Sequence, residues 1–113
     1  MARDLVLAAD FVKDVTAHVR WLTARREWSR IEGLERGLAE VEKQLAWLPA
    51  CGVIMQREGG AGLRKGILRK LPMAVWYGYL EADADAAIHL LRLFHVRQST
   101  PTPYLRTWRP RRR

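Results

Sequence analysis

Apolar residues in the first part of the chain recur at helical spacing. Between Phe11 and Leu22 they stand three or four positions apart, and His18 falls on the same face. Asp10 comes directly before this pattern and has the side chain of a good N-cap. We therefore predict a helix that starts at Phe11, is capped by Asp10 and runs to about Glu27, with His18 at the edge of the core.

A second apolar stripe with the same spacing runs from Ile31 to Leu48. Ser29 precedes it as a candidate N-cap, and Glu32, three residues later, completes a capping box. Pro49 ends the pattern because proline cannot continue a helix. The pattern predicts a second helix, joined to the first by a very short connection in an αα-hairpin.

The period changes to that of strands after the segment EGGAG (58–62), which we interpret as a flexible break that forms a plain hairpin connection. GLRKGILRK (62–70) alternates as a strand with one polar side. LPMAVWYGYL (71–80) is almost continuously apolar, which is typical of a strand covered on both faces. An acidic turn, EADAD (81–85), separates it from a third strand, AAIHLLRLFHVR (86–97).

Two short segments complete the predicted order. LVL (5–7) is apolar and suits an added strand at a sheet edge, whereas the prolines of STPTP (99–103) end the last strand because they cannot donate ladder hydrogen bonds. The order β-α-α-β-β-β predicts an α+β fold, a two-layer domain in which the helical hairpin packs on a small antiparallel sheet. We assign this domain to residues 1–100 and expect residues 101–113 to form a flexible basic tail.

The charge is distributed unevenly. Residues 1–56 carry 8 basic and 8 acidic residues, whereas residues 57–113 carry 12 basic and 4 acidic residues and hold the whole net charge of +8. Five of these cations are arginines of the tail YLRTWRPRRR (104–113). Such a basic half indicates an anionic partner, either nucleic acid, an acidic protein segment or a membrane surface.

Composition narrows the class of protein further. No apolar run approaches the roughly 18–20 residues that cross a membrane, and the N-terminus does not have the pattern of a signal peptide. Cys51 is the only cysteine, so an internal disulfide is excluded. The three histidines lack the spacing of metal ligands, and we expect neither a metal nor a cofactor. These features favour a cytoplasmic protein that is not bound to a membrane.

Three stretches are similar to one family. AWLPACGVI (46–54) is a helix end broken by proline, GLRKGILRKLPMAVWYGYLEAD (62–83) is a strand pair, and LLRLFHVRQ (90–98) is a last strand ending in His and Arg. Together they resemble the RelE/ParE family of bacterial type II toxin–antitoxin toxins, over about residues 3–100. The resemblance implies the β-α-α-β-β-β fold, cytoplasmic action and neutralisation by a cognate antitoxin.

The family has two activities, and the residues at the nuclease positions of this chain favour one of them. Its RelE-type members are ribosome-dependent mRNA endonucleases, and its ParE-type members poison DNA gyrase without a known active site. This chain has Ala74 where the nucleases carry an arginine. Of their two lysines on the preceding strand, Lys65 matches one and Ile67 replaces the other. His95 and Arg97 match their basic groups, so about half of the nuclease set is missing, which favours the gyrase-poisoning branch.

The residues themselves leave the chemistry open. If the chain is a nuclease, His95 is the best acid or base, since histidine titrates near neutral pH, and Arg64 and Arg97 can stabilise phosphorane charge. Strand alternation predicts that Leu91, Leu93 and His95 share one face, away from Arg92. The alternative for His95 is a structural role at the sheet end.

Six residues form the predicted binding surface, for an acidic antitoxin segment or for nucleic acid. Guanidinium groups suit carboxylates and phosphates. The alternative is that these cations only keep the strand edges from aggregating. The tail, with Tyr104 and Trp108 between its arginines, either grips nucleic acid or stays solvated. Besides the two toxin activities, a plain nucleic-acid-binding module and a degenerate relative that only binds its partner remain alternatives. The predicted surface comprises Arg64, Lys65, Arg69, Arg92, His95 and Arg97.

Overall fold

A computed structural model describes residues 2–58, 60–68 and 71–96. Within these ranges it contains two helices, one short 3₁₀ turn and five strands. In chain order these are β1 (Leu5–Leu7), α1 (Ala9–Ala24), α2 (Trp28–Trp47), the 3₁₀ turn (Pro49–Cys51), β2 (Val53–Glu58), β3 (Ala61–Ile67), β4 (Met73–Leu80) and β5 (Ile88–His95).

The five strands form one mixed sheet in the order β1-β5-β4-β3-β2. β1 pairs with β5 in parallel, with Leu5 opposite Ile88, and the other pairs are antiparallel. The α+β class and the position of LVL at a sheet edge are therefore confirmed.

The edge strand β2 was absent from the prediction. Its partner register places Glu58 opposite Ala61, so two residues connect β2 to β3. Gly60 has a φ of +82°, the left-handed conformation that glycine adopts without strain in a tight hairpin. The prediction of a hairpin connection in residues 58–62 is confirmed, but the connection is shorter than predicted, because Glu58, Ala61 and Gly62 lie in paired strands.

The helix starts also differ from the prediction. α1 begins at Ala9 with Ala8 as its N-cap and no side-chain cap, so Asp10 lies inside the first turn. The Ala8 N–H donates to the carbonyl of Leu90 at 2.9 Å, and this tie to β5 fixes where β1 ends and the helix begins.

The connection between the helices lies earlier in the chain than predicted, because α1 ends three residues before Glu27. α1 ends at Ala24, Arg26 turns the chain with a φ of +57°, and α2 begins at Trp28 after Glu27. Ser29 is consequently inside α2 and the predicted capping box does not form, since the N-cap position belongs to Glu27.

The main core lies between the helical hairpin and one face of the sheet. Leu34 and Leu45 of α2 pack there with Val75, Tyr77 and Leu90, all of them at most 1% exposed. Every residue of β4 from Met73 to Tyr79 is buried, which confirms a strand covered on both faces.

A β-bulge in β5 changes the predicted alternation. Trp76 lies opposite Arg92 and Tyr77 opposite Leu90, so Leu91 is an extra residue in the ladder. Leu93 packs in the main core, whereas Leu91 packs in a second cluster with Leu63 and Trp76 on the other face. The prediction that Leu91 and Leu93 share a face was therefore wrong.

Candidate functional site

Arg92 is held by an acidic residue of α1. Its Nε donates to Oδ2 of Asp14 at 2.7 Å and its Nη2 donates to Oδ1 at 3.1 Å. The guanidinium carbon also lies 4.7 Å from the ring centroid of Phe94. This two-pronged arrangement is the strong form of a guanidinium–carboxylate pair. The Arg92 side chain thus joins α1 to β5.

Arg64 is placed inside the fold. The residue is 8% exposed, and its Nη1 donates to the carbonyl oxygens of Ala50 and Gly52 at 3.1 and 2.9 Å. Its Nη2 donates to Oε1 of Glu81 at 3.1 Å. The guanidinium thus holds the chain after α2 against the sheet.

Tyr77 fastens the same segment from the neighbouring strand. Its hydroxyl donates to the carbonyl of Pro49 at 2.6 Å and accepts from the Gly52 N–H at 3.0 Å. Burial raises the pKa of the Tyr77 hydroxyl well above its ordinary value, so the phenol stays protonated at neutral pH.

Lys65 occupies the centre of β3 and is half-buried. It lies opposite Trp76, which in turn lies opposite Arg92, so these residues form one row across three strands.

Of the two positions where the chain departs from the nuclease pattern, Ala74 is 1% exposed and Ile67 is 59% exposed. Arg69 and Arg97 lie outside the described residues.

His95, at the end of β5, lines a cleft between α1, α2 and the β3–β4 connection. The cleft has a volume of about 510 Å³, within the range of ligand pockets. Its wall is mostly apolar, and its polar groups come from two histidines and one arginine. The lining residues include His18, Trp21, Leu34, Arg30, Met73 and His95.

A second hollow of about 290 Å³ adjoins this cleft and is lined by Asp14, Arg92 and Phe94. The two hollows share His18, Trp21 and Met73 as lining residues. The structure therefore brings His95 and Arg92 of the predicted surface to neighbouring hollows, whereas Arg64 and Lys65 line neither of these two.

Sequence reasoning missed the part that His18 plays in this cleft. The His18 ring stacks on the Trp21 ring with centroids 5.9 Å apart. The guanidinium carbon of Arg25 lies 4.7 Å from the centroid of the same Trp21 ring. Burial and then the nearby charge of His95 lower the pKa of His18, so its imidazole is neutral at physiological pH. The apolar face of α1 located His18, but no local signal could connect it with a strand 77 positions later.

Within the described part of the chain, no three His, Cys, Asp or Glu side chains stand close enough to hold a metal ion. Neither described helix combines the length and hydropathy that a membrane span requires.

No protein-family model matches the chain, and no curated protein matches it at a significant level.

Proposed function

We propose that this protein is the toxin of a bacterial type II toxin–antitoxin pair that binds and poisons DNA gyrase and is neutralised by a cognate antitoxin. The likeness of residues 62–83 and 90–98 to RelE/ParE strands supports the class of protein. The two-layer arrangement of a helical hairpin on a sheet is in keeping with the fold that this likeness implies.

The engagement of two arginines inside the fold favours the gyrase-poisoning branch. A nuclease needs cations aimed at the developing phosphorane charge. The Arg64 guanidinium is bonded to two backbone carbonyls and Glu81, and the Arg92 guanidinium is clamped by Asp14. Poisoning by protein–protein contact needs a complementary surface instead of such a cation set.

Exposed tryptophans supply a surface of the kind that protein partners use. Trp21 is 50% exposed and Trp28 is 59% exposed, on either side of the α1–α2 connection. Large aromatic side chains dominate the binding energy of many interfaces. We assign this end of the helical hairpin to the contact with the target.

Inducible expression in bacteria tests the proposal directly. We expect filamentation and blocked DNA replication while protein synthesis continues, and purified protein that alters supercoiling or cleavage-complex formation by gyrase. Trp28→Ala should weaken both effects, whereas Trp47→Ala, an equally exposed tryptophan at the far end of α2, should not. Growth arrest with unaltered gyrase would contradict the target, and an absence of toxicity would indicate a binding module or a degenerate toxin.

The cleft favours one second candidate, a ribosome-dependent mRNA endonuclease. It brings two histidines and Arg30 to one apolar cavity, where a neutral His18 is able to accept a proton. This activity predicts early translation arrest and cleaved mRNA on ribosomes. His95→Ala and Arg97→Ala should abolish both, and His89→Ala, a half-buried histidine on the same strand, serves as the control. Toxicity that survives His95→Ala and Arg97→Ala would exclude this mechanism.

A further inference from the structure

The chain that leads from the end of α2 into β2 exposes an uncharged apolar stretch. Residues 47–55 read WLPACGVIM, and none of their side chains is charged. The five large hydrophobic side chains of this stretch are between 38% and 61% exposed. Single exposed apolar residues are ordinary on a protein surface, whereas a contiguous group marks an interaction site. The group, here called the apolar stripe, comprises Trp47, Leu48, Val53, Ile54 and Met55.

The local fold keeps the apolar stripe together at one edge of the sheet. Leu48 ends α2, and its carbonyl accepts from the Cys51 N–H at 3.0 Å, so the 3₁₀ turn leads directly from the helix end to β2. β2 is the last strand of the sheet, and among the described strands only β3 pairs with it. Val53 lies opposite Lys65, and Ile67, two positions further along β3 and on the same face, is also exposed.

A β-bulge determines how this edge is able to bind. The pairing of β2 with β3 shifts by one residue between Ile54 and Gln56, which leaves Met55 as the extra residue. Bulges at a sheet edge oppose the addition of a further strand. The apolar stripe is therefore suited to the packing of side chains more than to an extension of the hydrogen-bond ladder.

The distribution of charge indicates which partner the apolar stripe fits. Nucleic acids and acidic protein segments are bound through cations, and residues 47–55 contain none. The whole chain has a net charge of +8, so copies of it repel one another. An uncharged stretch is where two such copies approach with the least repulsion. A second copy also presents the same apolar stripe, and a two-fold contact would bury both.

The area of the apolar stripe is sufficient for a dimer. With about 250 Å² for a tryptophan and roughly 150 Å² for each aliphatic side chain, the exposed fractions leave roughly 450 Å² of apolar surface on one copy. Because apolar atoms make up about 65% of a homodimer interface, burying two such surfaces corresponds to about 1,400 Å² in total. Stable and specific interfaces bury about 1,200–2,000 Å².

We propose that two copies of this chain form a two-fold symmetric dimer in which the apolar stripe of one copy packs on the apolar stripe of the other. The β2 edges then face each other across the axis. Trp28, at the end of the helical hairpin assigned to the target, stays outside this interface, because the 20 residues of α2 separate it from Trp47 by about 30 Å. The inference does not depend on the proposed function.

Sedimentation velocity of the full-length protein tests for the dimer. We expect the proportion of dimer to grow with protein concentration between about 1 and 200 μM. The association should strengthen when the salt concentration rises from about 50 to 500 mM, because screening weakens the repulsion between two copies that each carry +8. A contact made through opposite charges would weaken instead.

Two matched substitutions locate the interface. Val53→Lys places a cation on the β2 edge, and a two-fold interface contains it twice, so the dimer Kd should rise at least about tenfold. Val6→Lys adds the same charge at an exposed valine of β1, the strand at the opposite edge of the sheet. This control should change the dimer Kd by less than about threefold.

A second measurement on the wild-type protein keeps the test decisive if Val53→Lys does not fold. In a mixed sample of isotope-labelled and unlabelled protein, intermolecular nuclear Overhauser contacts should join the Val53 and Ile54 methyls to Trp47 or Met55 of the other copy. Intermolecular contacts confined to other surfaces would overturn the inference. So would a monomer at every concentration, association that salt weakens, or a dimer that Val53→Lys and Val6→Lys affect equally.

Discussion

The Asp14 carboxylate of α1 holds both the side chain of Arg92 and the backbone N–H of Leu93, which donates to its Oδ2 at 3.0 Å. One side chain thus pins the bulged part of β5 to the first helix. The Asp14 and Arg92 side chains are 19% and 24% exposed, so solvent screens the pair only in part.

Removing this carboxylate should cost more stability than its position on a helix surface suggests. Asp14→Ala leaves the Arg92 guanidinium and the Leu93 N–H without this acceptor, and we expect a loss of about 1–3 kcal/mol in the free energy of unfolding. Urea denaturation measures it. Glu40→Ala, an exposed carboxylate of α2, is the matched control and should change stability by less than about 0.5 kcal/mol. Equal effects would show that Asp14 does not pin β5.

The Tyr77 hydroxyl should account for much of the attachment of the Pro49–Cys51 turn. Tyr77→Phe removes both of its hydrogen bonds and leaves the Gly52 N–H without this partner, at a cost of about 1–2 kcal/mol. Tyr79→Phe is the control, because Tyr79 is a buried neighbour on the same strand whose ring stacks on Tyr77 at 6.3 Å. A Tyr77→Phe protein as stable as the wild type would contradict these bonds.

The same hydroxyl predicts the alkaline limit of stability. Because burial raises the pKa of Tyr77 in the folded state, the unfolded chain loses this proton first as the pH rises. The contribution of the protonated Tyr77 hydroxyl to the free energy of unfolding is complete below the unfolded pKa of about 10 and declines above it. Wild-type stability should therefore fall more steeply than that of Tyr77→Phe between about pH 9.5 and 11, in denaturation curves at matched ionic strength. Parallel pH profiles would show that Tyr77 is not the group responsible.

The pKa of His18 in the cleft should depend on the neighbouring His95. Burial is the larger cause that lowers the pKa of His18, and the charge of His95 is the second. Imidazole resonances in an NMR titration should place His18 below 6.5, and His95→Ala should move it part of the way back. Since the unfolded state binds the proton more tightly, acidification through the unfolded pKa of about 6.5 destabilises the fold. A His18 pKa that His95→Ala does not change would show that the two rings do not interact.

The elements with the strongest periodicity were predictable from the sequence, and those fixed by distant partners were not. The stripe from Ile31 to Leu48 and the apolar run of β4 gave the second helix and the central strand. The cap of α1 could not be predicted from Asp10, because the tie from Ala8 to Leu90 sets that end. Strand β2 was not predicted, because its hairpin depends on pairing with β3 more than on its own sequence pattern.

The site was less predictable than the fold for the same physical reason. Arg64 and Arg92 are typical anion-binding residues by type, yet their partners lie 17 and 78 positions away in the chain. The bulge at Leu91, which sets the face of each later side chain, has no marker in the sequence. His95 was identified from its strand end, whereas its neighbour His18 became visible only in the packed structure.

Two glycines should respond to alanine with opposite signs. At Gly33, inside α2, an added Cβ meets nothing within 4 Å, so Gly33→Ala should stabilise the protein by about 0.5–1 kcal/mol through helix propensity. At Gly52 the added Cβ would meet the Tyr77 hydroxyl and, at 2.8 Å, the backbone carbonyl of Lys65.

That second contact cannot be relieved by turning a side chain, because the carbonyl belongs to the strand next to β2. Gly52→Ala should therefore displace the turn, weaken the Tyr77 and Arg64 bonds to it and cost about 1–3 kcal/mol. Thermal unfolding of the two variants measures both effects, with about 4–8 °C expected per kcal/mol for a small domain. A Gly52→Ala protein that melts at or above the wild-type temperature would show that the turn is not held against β3 and β4 in this way. A melting temperature that rises for Gly33→Ala and falls for Gly52→Ala supports this arrangement.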